Sequence, residues 1–282
     1  MTTRSILITG CSSGIGHTVA HGLQGRGWRV FATARHMEDV ERLRGEGLEA
    51  ERLDLADPDS IAAALDRIIE RSGGTLDALF NNGAYGQPGA VEDLTREVLR
   101  EQLETNLLGW LDLTNRIIPI MRRQGHGRIV NNSSVLGLVA LPFRGAYNTS
   151  KFALEGLSDT LRLELHGSGI SVSLIEPGPI TSRFRANAYA AFQRNIDREH
   201  SAYRTQYRGA EQRLARPDKG GDPFSLGPEA VLKRVIHALE SPRPKPRYYV
   251  TFPTWLFGTL RRLLPTRALD QVLLRVSRGE NR

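Results

Sequence analysis

Along the chain, short unbroken apolar runs alternate with longer stretches in which apolar residues recur every three or four positions. Residues 6–9, 29–34, 78–81, 128–132 and 171–176 form the short runs. They read as strands covered on both faces, because a strand with one wet face would alternate polar and apolar residues. Residues 15–26, 58–72, 95–123 and 146–167 carry the helical spacing between them. This alternation predicts an α/β fold, a doubly wound parallel sheet with helices on both faces. Such sheets bind ligands beyond the C-terminal ends of their strands.

The pattern degrades after residue 180. Residues 182–227 place Tyr189, Phe192, Tyr203 and Tyr207 among many polar residues, followed by Lys219, Gly220, Gly221, Asp222 and Pro223. This segment reads as a helical lid or substrate loop with a mobile exit. Its aromatic residues suit either a hydrophobic pocket or simple packing. Another amphipathic helix spans 228–240, opened by Pro228 and Glu229. Pro242, Pro244 and Pro246 then force an extended stretch. The organisation is one domain over 1–250 and an amphipathic C-terminal tail over 251–282. No internal repeat and no low-complexity tract interrupts it.

Charge changes the picture only at the C-terminal end. Of the net +7, residues 1–182 contribute −4 and residues 183–282 contribute +11. A basic end can meet an anionic substrate, a membrane surface or nucleic acid. The arginines are scattered and no nucleic-acid motif accompanies them, so nucleic acid is not expected. In the tail, Trp255, Phe257 and several leucines alternate with Arg261, Arg262, Arg267 and Arg275. That pattern fits packing on the domain or on another subunit, with peripheral membrane contact as the alternative. No uncharged run is long enough to span a membrane. Cys11 is the only cysteine, which excludes an intramolecular disulfide and fits a reducing compartment. The His and Cys residues show no metal-ligand spacing, and no metal is expected. With no long apolar stretch at the N-terminus, a cytoplasmic location is the expectation.

Two constellations carry chemistry. Tyr147 and Lys151 stand one helical turn apart in a chain with only four lysines. On one helix face, an ammonium beside a phenol favours the phenolate, and a tyrosine so tuned can exchange a proton with a carbonyl or alcohol. Ser134, thirteen residues upstream, can hydrogen-bond the same oxygen. The second constellation is Thr9, Gly10, Cys11, Ser12, Ser13, Gly14, Ile15 and Gly16, placed between the first strand and the first helix. Glycines there let the backbone turn sharply and approach a pyrophosphate, which the helix N-terminus attracts. The second strand ends in Ala34 and Arg35, with no acidic residue where a ribose 2′-hydroxyl would want one. An arginine suits a 2′-phosphate, so NADP(H) is the expected cofactor. Cys11 reads as a small loop residue rather than a redox switch.

Several further segments, in order, give the chain its resemblance. Asp54-Leu55 follows the third strand position, Asn81-Asn82-Gly83-Ala84 lies in a later strand and turn, and Asn106 stands 25 residues beyond Asn81. Pro177, Gly178, Pro179, Ile180 and Thr181 follow the last core strand. With Thr9 to Gly16, Ser134, Tyr147 and Lys151, these segments resemble the short-chain dehydrogenase/reductase family over about residues 4–180. The departure is Gly83-Ala84, where the family has alanine before glycine.

The resemblance implies a Rossmann-like fold and a catalytic set of Asn106, Ser134, Tyr147 and Lys151. It implies that Asp54 contacts the adenine and that Lys151 binds the nicotinamide ribose. Asn106 would hold a water on a proton path, and Pro177 to Thr181 would close over the nicotinamide. It further implies an oxidoreductase interconverting a carbonyl and an alcohol, built as a homodimer or homotetramer. The segment from Glu176 and the long tail resemble the branch with retinol, hydroxysteroid and lipid-aldehyde enzymes, which points to a bulky apolar substrate. A 3-oxoacyl thioester reductase is the alternative, and a non-catalytic dinucleotide-binding regulator a more distant one.

Overall fold

The computed structural model describes residues 3–215 and 224–280. The glycine-rich exit at 219–223 expected from the sequence lies outside the described residues. Seven strands form one parallel sheet in the order β3-β2-β1-β4-β5-β6-β7. They are β1 (Ser5–Ile8), β2 (Arg29–Ala34), β3 (Glu49–Arg52), β4 (Ala78–Asn81), β5 (Gly127–Asn132), β6 (Ile170–Glu176) and β7 (Arg247–Tyr249). From β1 the chain winds outward to β3, then returns to β4 on the other side of β1. The strand order therefore reverses between β1 and β4, where such sheets open a ligand crevice.

Both sheet faces are covered, which is why the core strands are apolar on both sides along most of their length. Ile6, Ile8, Val30 and Ala32 pack under α1 (Gly14–Gln24), α2 (Met37–Gly45) and α9 (Glu229–Glu240). Leu7, Phe31, Leu79 and Ile129 point the other way, to α3 (Pro58–Arg71), α5 (Gly109–Gln124) and α6 (Gly145–Glu164). Local signals set the helix ends. Asp57 caps α3, accepting from the backbone N–H of Asp59 at 3.0 Å and Ser60 at 3.2 Å, with Pro58 in the first turn. The helical run expected over 95–123 divides into α4 (Arg96–Leu103), one wide π turn at Glu104–Leu108, and α5.

Three elements escape the apolar pattern: α2, β3 and β7. β3 reads Glu-Ala-Glu-Arg, yet it pairs with β2 from Phe31↔Glu49 to Ala34↔Arg52. Its acids are neutralised from neighbouring elements. Glu49 accepts from Arg29 at 2.6 Å, and Glu51 meets Arg67 at 2.8 Å and Arg71 at 3.2 Å. β7 is only three residues long, and the extended stretch forced by the prolines leads into it. The remaining helices are α7 (Phe184–Asn195), α8 (Arg204–Ala215), α10 (Phe252–Leu263) and α11 (Thr266–Glu280). The expected lid helices are α7 and α8. The tail packs on the domain: Phe257 and Leu260 of α10 and Leu269, Leu273 and Val276 of α11 enclose Val135, Val139 and Leu141. Among the described residues, no helix is long and apolar enough to cross a membrane.

One guanidinium ties the β7 edge to the domain. Arg247 donates to Glu176 at 2.7 Å and also binds Glu155 and Asp159 of α6. Glu176 is fully buried, and burial pushes its carboxyl up to about 8, with Glu155 adding repulsion and Arg247 opposing. A carboxyl raised above its unfolded value takes up a proton on folding, so its stabilising share is present below about 5 and lost as pH rises towards 8. Removing the cation strengthens that effect. Arg247→Met is therefore expected to lower stability by about 3 kcal/mol at neutral pH. Urea melts should show a larger loss at pH 8 than at pH 5.5, and a pH-independent loss would contradict this account.

Candidate active site

Above the C-terminal ends of β1, β4 and β5 lies a cleft of about 370 Å³. Its floor on one side is the turn from Thr9 to Gly16. Gly10 and Gly14 take the left-handed conformation, φ +70° and +56°. A Cβ on Gly10 would lie 2.5 Å from the Gly83 Cα, and one on Gly16 would lie 2.2 Å from the Gly10 carbonyl oxygen. The turn is thus closed to any side chain at these positions. Thr9 staples it to the β4 exit, its hydroxyl accepting from the N–H of Asn82 at 2.8 Å and of Gly83 at 2.9 Å. The Gly83-Ala84 order places the glycine where the two loops touch. The opening of α1 faces this cradle, and a dinucleotide pyrophosphate fits it by charge and by space.

On the other side, Ser134 follows β5, and Tyr147 and Lys151 rise from the first turns of α6. Ser134 and Tyr147 line the same cleft, and Ser134 draws the phenol's pKa down. Lys151 is 1% exposed, and its Nζ donates to the Asn132 carbonyl at 2.8 Å and lies 4.5 Å from the Trp110 ring centre. Trp110 is itself fixed by donating to the Gly83 carbonyl at 2.8 Å. Asn132 donates to Asn82 at 2.9 Å, and Asn82 donates to the Thr9 carbonyl at 3.0 Å. A polar ladder thus runs unbroken from the phosphate turn to the lysine.

The electrostatics differ from the expectation that the ammonium draws the phenol down. Burial pushes Lys151 down to about 7, with Glu155 opposing. Burial pushes Tyr147 up to about 12, with Ser134 opposing. In a low-dielectric site both groups favour their neutral forms, and the loss of solvation outweighs their mutual effect. Burial thus favours the protonated phenol of Tyr147.

Asn106 sits fully buried in the π turn between α4 and α5. Wide turns of this kind re-aim side chains within a helix. Its Oδ1 accepts from the Tyr85 N–H at 3.1 Å, and its Nδ2 donates to the Tyr85 carbonyl at 2.8 Å and to Ser150 at 3.3 Å. Ser150 donates in turn to the Tyr147 carbonyl at 2.8 Å. Asn106 therefore braces the first turn of α6. Asn81 is bound deeper, to Thr114 at 3.0 Å and Asn131 at 2.9 Å.

The other expected cofactor contacts fall in two places. Ser12, Ser13, Ile15, Pro177, Gly178 and Ile180 line the cleft beside Ser134, Tyr147 and Lys151. Thr181 holds the far end of the lid, its N–H donating to the Leu226 carbonyl at 3.0 Å. Arg35, Asp54 and Leu55 stand outside the cleft lining, at the β2 and β3 exits, where an adenosine would lie. Arg35 is exposed, and among the described residues no carboxylate pairs with it.

Of the two readings open for the aromatic residues of 182–227, packing is the one found. Phe192 and Tyr207 form a separate core with Ala90, Ile196 and Leu214, flanked by Tyr189 and Tyr203, and none of these four aromatics lines the cleft. They are packing residues that hold α7 against α8. The aromatic wall is Phe184, whose ring meets Tyr147 edge-on at 5.3 Å. Leu141, Val135 and Leu136 continue that wall. Val135, Leu136 and Leu141 lie in an apolar run, 135–141, that forms only a short helical turn and loop after β5, so it fits neither the strand nor the helix pattern.

The model of the short chain dehydrogenase family matches residues 4–192, and the chain belongs to that family of oxidoreductases. It is 43% identical to the uncharacterized oxidoreductase YbbO of Escherichia coli over 96% of this chain and 94% of that one. It is 35% identical to human retinol dehydrogenase 16 over 96% and 88%, and 34% identical to human 17-beta-hydroxysteroid dehydrogenase type 1 over 87% and 77%. A short-chain dehydrogenase structure from Streptomyces avermitilis superposes with a TM-score of 0.80 at 29% identity, covering 99% and 98%. A Burkholderia phymatum member in complex with NAD gives 0.76 at 26%, covering 93% and 92%. An actinorhodin polyketide ketoreductase with NADPH gives 0.70 at 27%, covering 88% and 95%. The fold and the nicotinamide dinucleotide are thus common ground, while the bound cofactor varies between neighbours.

Cys11 lies in the phosphate turn but points inward. It is fully buried, its thiol donates to the Ile8 carbonyl at 3.3 Å, and burial pushes it up to about 12. The thiolate is the reactive form. Iodoacetamide at pH 7.5 should leave the native protein unlabelled and modify one thiol in urea, as counted by intact mass. Labelling at equal rates in both states would contradict the buried assignment.

Proposed function

We propose that this short-chain dehydrogenase/reductase is an NADP(H)-dependent enzyme that interconverts a bulky apolar aldehyde or ketone with its alcohol. The carrying observation is that Ser134, Tyr147 and the buried Lys151 meet in one cleft, walled by Phe184, Leu141 and Leu136. The cofactor, when bound, supplies or accepts the hydride. The Gly10–Gly16 turn and the start of α1 hold its phosphates, Asp54 and Leu55 its adenosine, and Lys151 and Pro177 to Thr181 its nicotinamide end. Arg35 supports a 2′-phosphate.

During reduction, Ser134 and Tyr147 hydrogen-bond the carbonyl oxygen, and the Tyr147 O–H gives its proton to that oxygen as the C–H bond forms. In the oxidative direction the phenolate takes the proton back. Lys151, in its cationic form, stabilises the negative charge that Tyr147 develops. Asn106 keeps the Tyr147 turn in place and retains an acceptor lone pair on Oδ1 for a water. Retinol and 17-beta-hydroxysteroid dehydrogenases among the relatives support an apolar alcohol or ketone as substrate. The exposed Leu108 and Leu163, near α5 and on α6, support assembly as a homodimer or homotetramer through these helices.

Three outcomes test this reading. Tyr147→Phe should lower kcat for NADPH-dependent reduction of lipid aldehydes or steroid ketones at least about 100-fold, with an unchanged circular dichroism spectrum. A variant that kept wild-type turnover would remove Tyr147 as proton donor. Lys151 is cationic below about 7 and Tyr147 stays protonated to about 12. For the free enzyme, kcat/KM of reduction should therefore decline as pH rises through about 7, and a flat profile from pH 6 to 9 would contradict this. Arg35→Glu should weaken NADPH about 10-fold or more while sparing NADH, as read by fluorescence titration. Equal loss for both cofactors would count against NADP preference.

A further inference from the structure

On the outer surface behind the phosphate turn, three ligand atoms converge that neither the proposed reaction nor the family resemblance uses. The Nε2 atoms of His17 and His21 lie 2.7 and 2.9 Å from the same oxygen, Oε2 of Glu46. The three ligand atoms all fall within 4.8 Å of one another. The two histidines are one turn apart on α1, so their rings share a face, with centroids 4.5 Å apart. Glu46 comes from the end of α2, 25 residues beyond His21. Sequence reading, which finds no metal-ligand spacing, misses this group because the third ligand arrives through the fold.

We propose that His17, His21 and Glu46 form a binding site for a divalent transition-metal ion of the zinc type. Two imidazole nitrogens and a carboxylate oxygen are a donor set that suits zinc, copper or nickel and is poor for magnesium or calcium, which want oxygen alone. Around a tetrahedral ion with ligand distances near 2.1 Å, donor atoms stand about 3.4 Å apart. The group therefore has to open by roughly half an ångström, within the reach of side-chain rotation.

The side chains are 33%, 34% and 30% exposed, so an ion can enter from solvent and keep a water as fourth ligand. The carboxylate is already oriented. Its other oxygen, Oε1, accepts from Arg42 at 2.6 Å, and Arg42 is held in turn by Asp39 at 3.0 Å and the Ser12 carbonyl at 2.7 Å. Outer partners of this kind fix ligand geometry in metal sites. Arg42 remains bound to Oε1 while Oε2 takes the ion. The ion would fasten α1 to α2, and through Arg42 it would touch the phosphate turn from behind.

Calorimetric titration of the untagged full-length chain with zinc chloride should give one ion per chain, and zinc should raise the thermal midpoint because it binds the folded state. His17→Ala/His21→Ala should lose that stoichiometric binding by more than about 10-fold and lose the thermal shift. Glu46→Gln should weaken binding while leaving both histidines in place. Magnesium should produce neither heat nor shift. Absence of one-to-one binding in the wild type overturns the proposal, as does binding of equal strength in the double alanine variant. Circular dichroism of each metal-free variant separates loss of the site from loss of the fold.

Discussion

A buried amine with no carboxylate in direct contact among the described residues is the constraint around which this cleft is built. Lys151 is sealed beneath the cleft, and burial favours its neutral form. What remains to hold it is directional: one carbonyl, one indole face and the carboxylate field of Glu155. Each of these is fixed by something further away. The carbonyl belongs to Asn132, whose side chain reaches across to Asn82 and so to the phosphate turn. The indole belongs to Trp110, anchored on the Gly83 carbonyl at the same junction. Cofactor cradle and proton machinery are therefore one hydrogen-bonded unit, and a shift in either is felt by the other.

The parts legible in the sequence are those where one residue type was required by geometry. Gly10, Gly14 and Gly16 could be read because only glycine fits that turn, and Tyr147 and Lys151 because helical spacing puts them on one face. The parallel core strands could be read because burial on both sides makes adjacent positions apolar in place of the alternation that one wet face would leave. β3 could not, because its charges are neutralised by arginines from α2 and α3 and from β2 that adjoin it only after folding. The direction of the Tyr147 and Lys151 shifts was likewise hidden, since spacing reports proximity and says nothing of burial. The aromatics of 182–227 left two readings open for a related reason: helical periodicity shows that a face is covered without showing what covers it.

The cleft wall is assembled from segments distant in sequence. Phe184 opens α7, Leu141 precedes α6, and Val135 follows β5. Behind Val135 and Leu141 lie the last two helices, α10 and α11, so the C-terminal tail shapes the substrate side from outside the first layer of contacts. Substrate size could thus change through repacking of residues near 257–276 with no alteration at the catalytic trio. The lid, by contrast, is held by its own aromatic core and by the pairing of Ile180 with Leu226. Phe184, at the start of α7, is the point where wall and lid join.

The charged edge strand has a consequence for how chains of this kind can associate. An open sheet invites a neighbouring chain to add a strand along its unpaired rim, and that route leads readily to fibrils. Here one rim carries glutamates clasped by arginines from several elements, and the other ends in a strand of three residues beside the Arg247 cluster. Both rims are thus poor templates for sheet growth. A contact through helical faces, by contrast, is finite and adds no further unpaired rim.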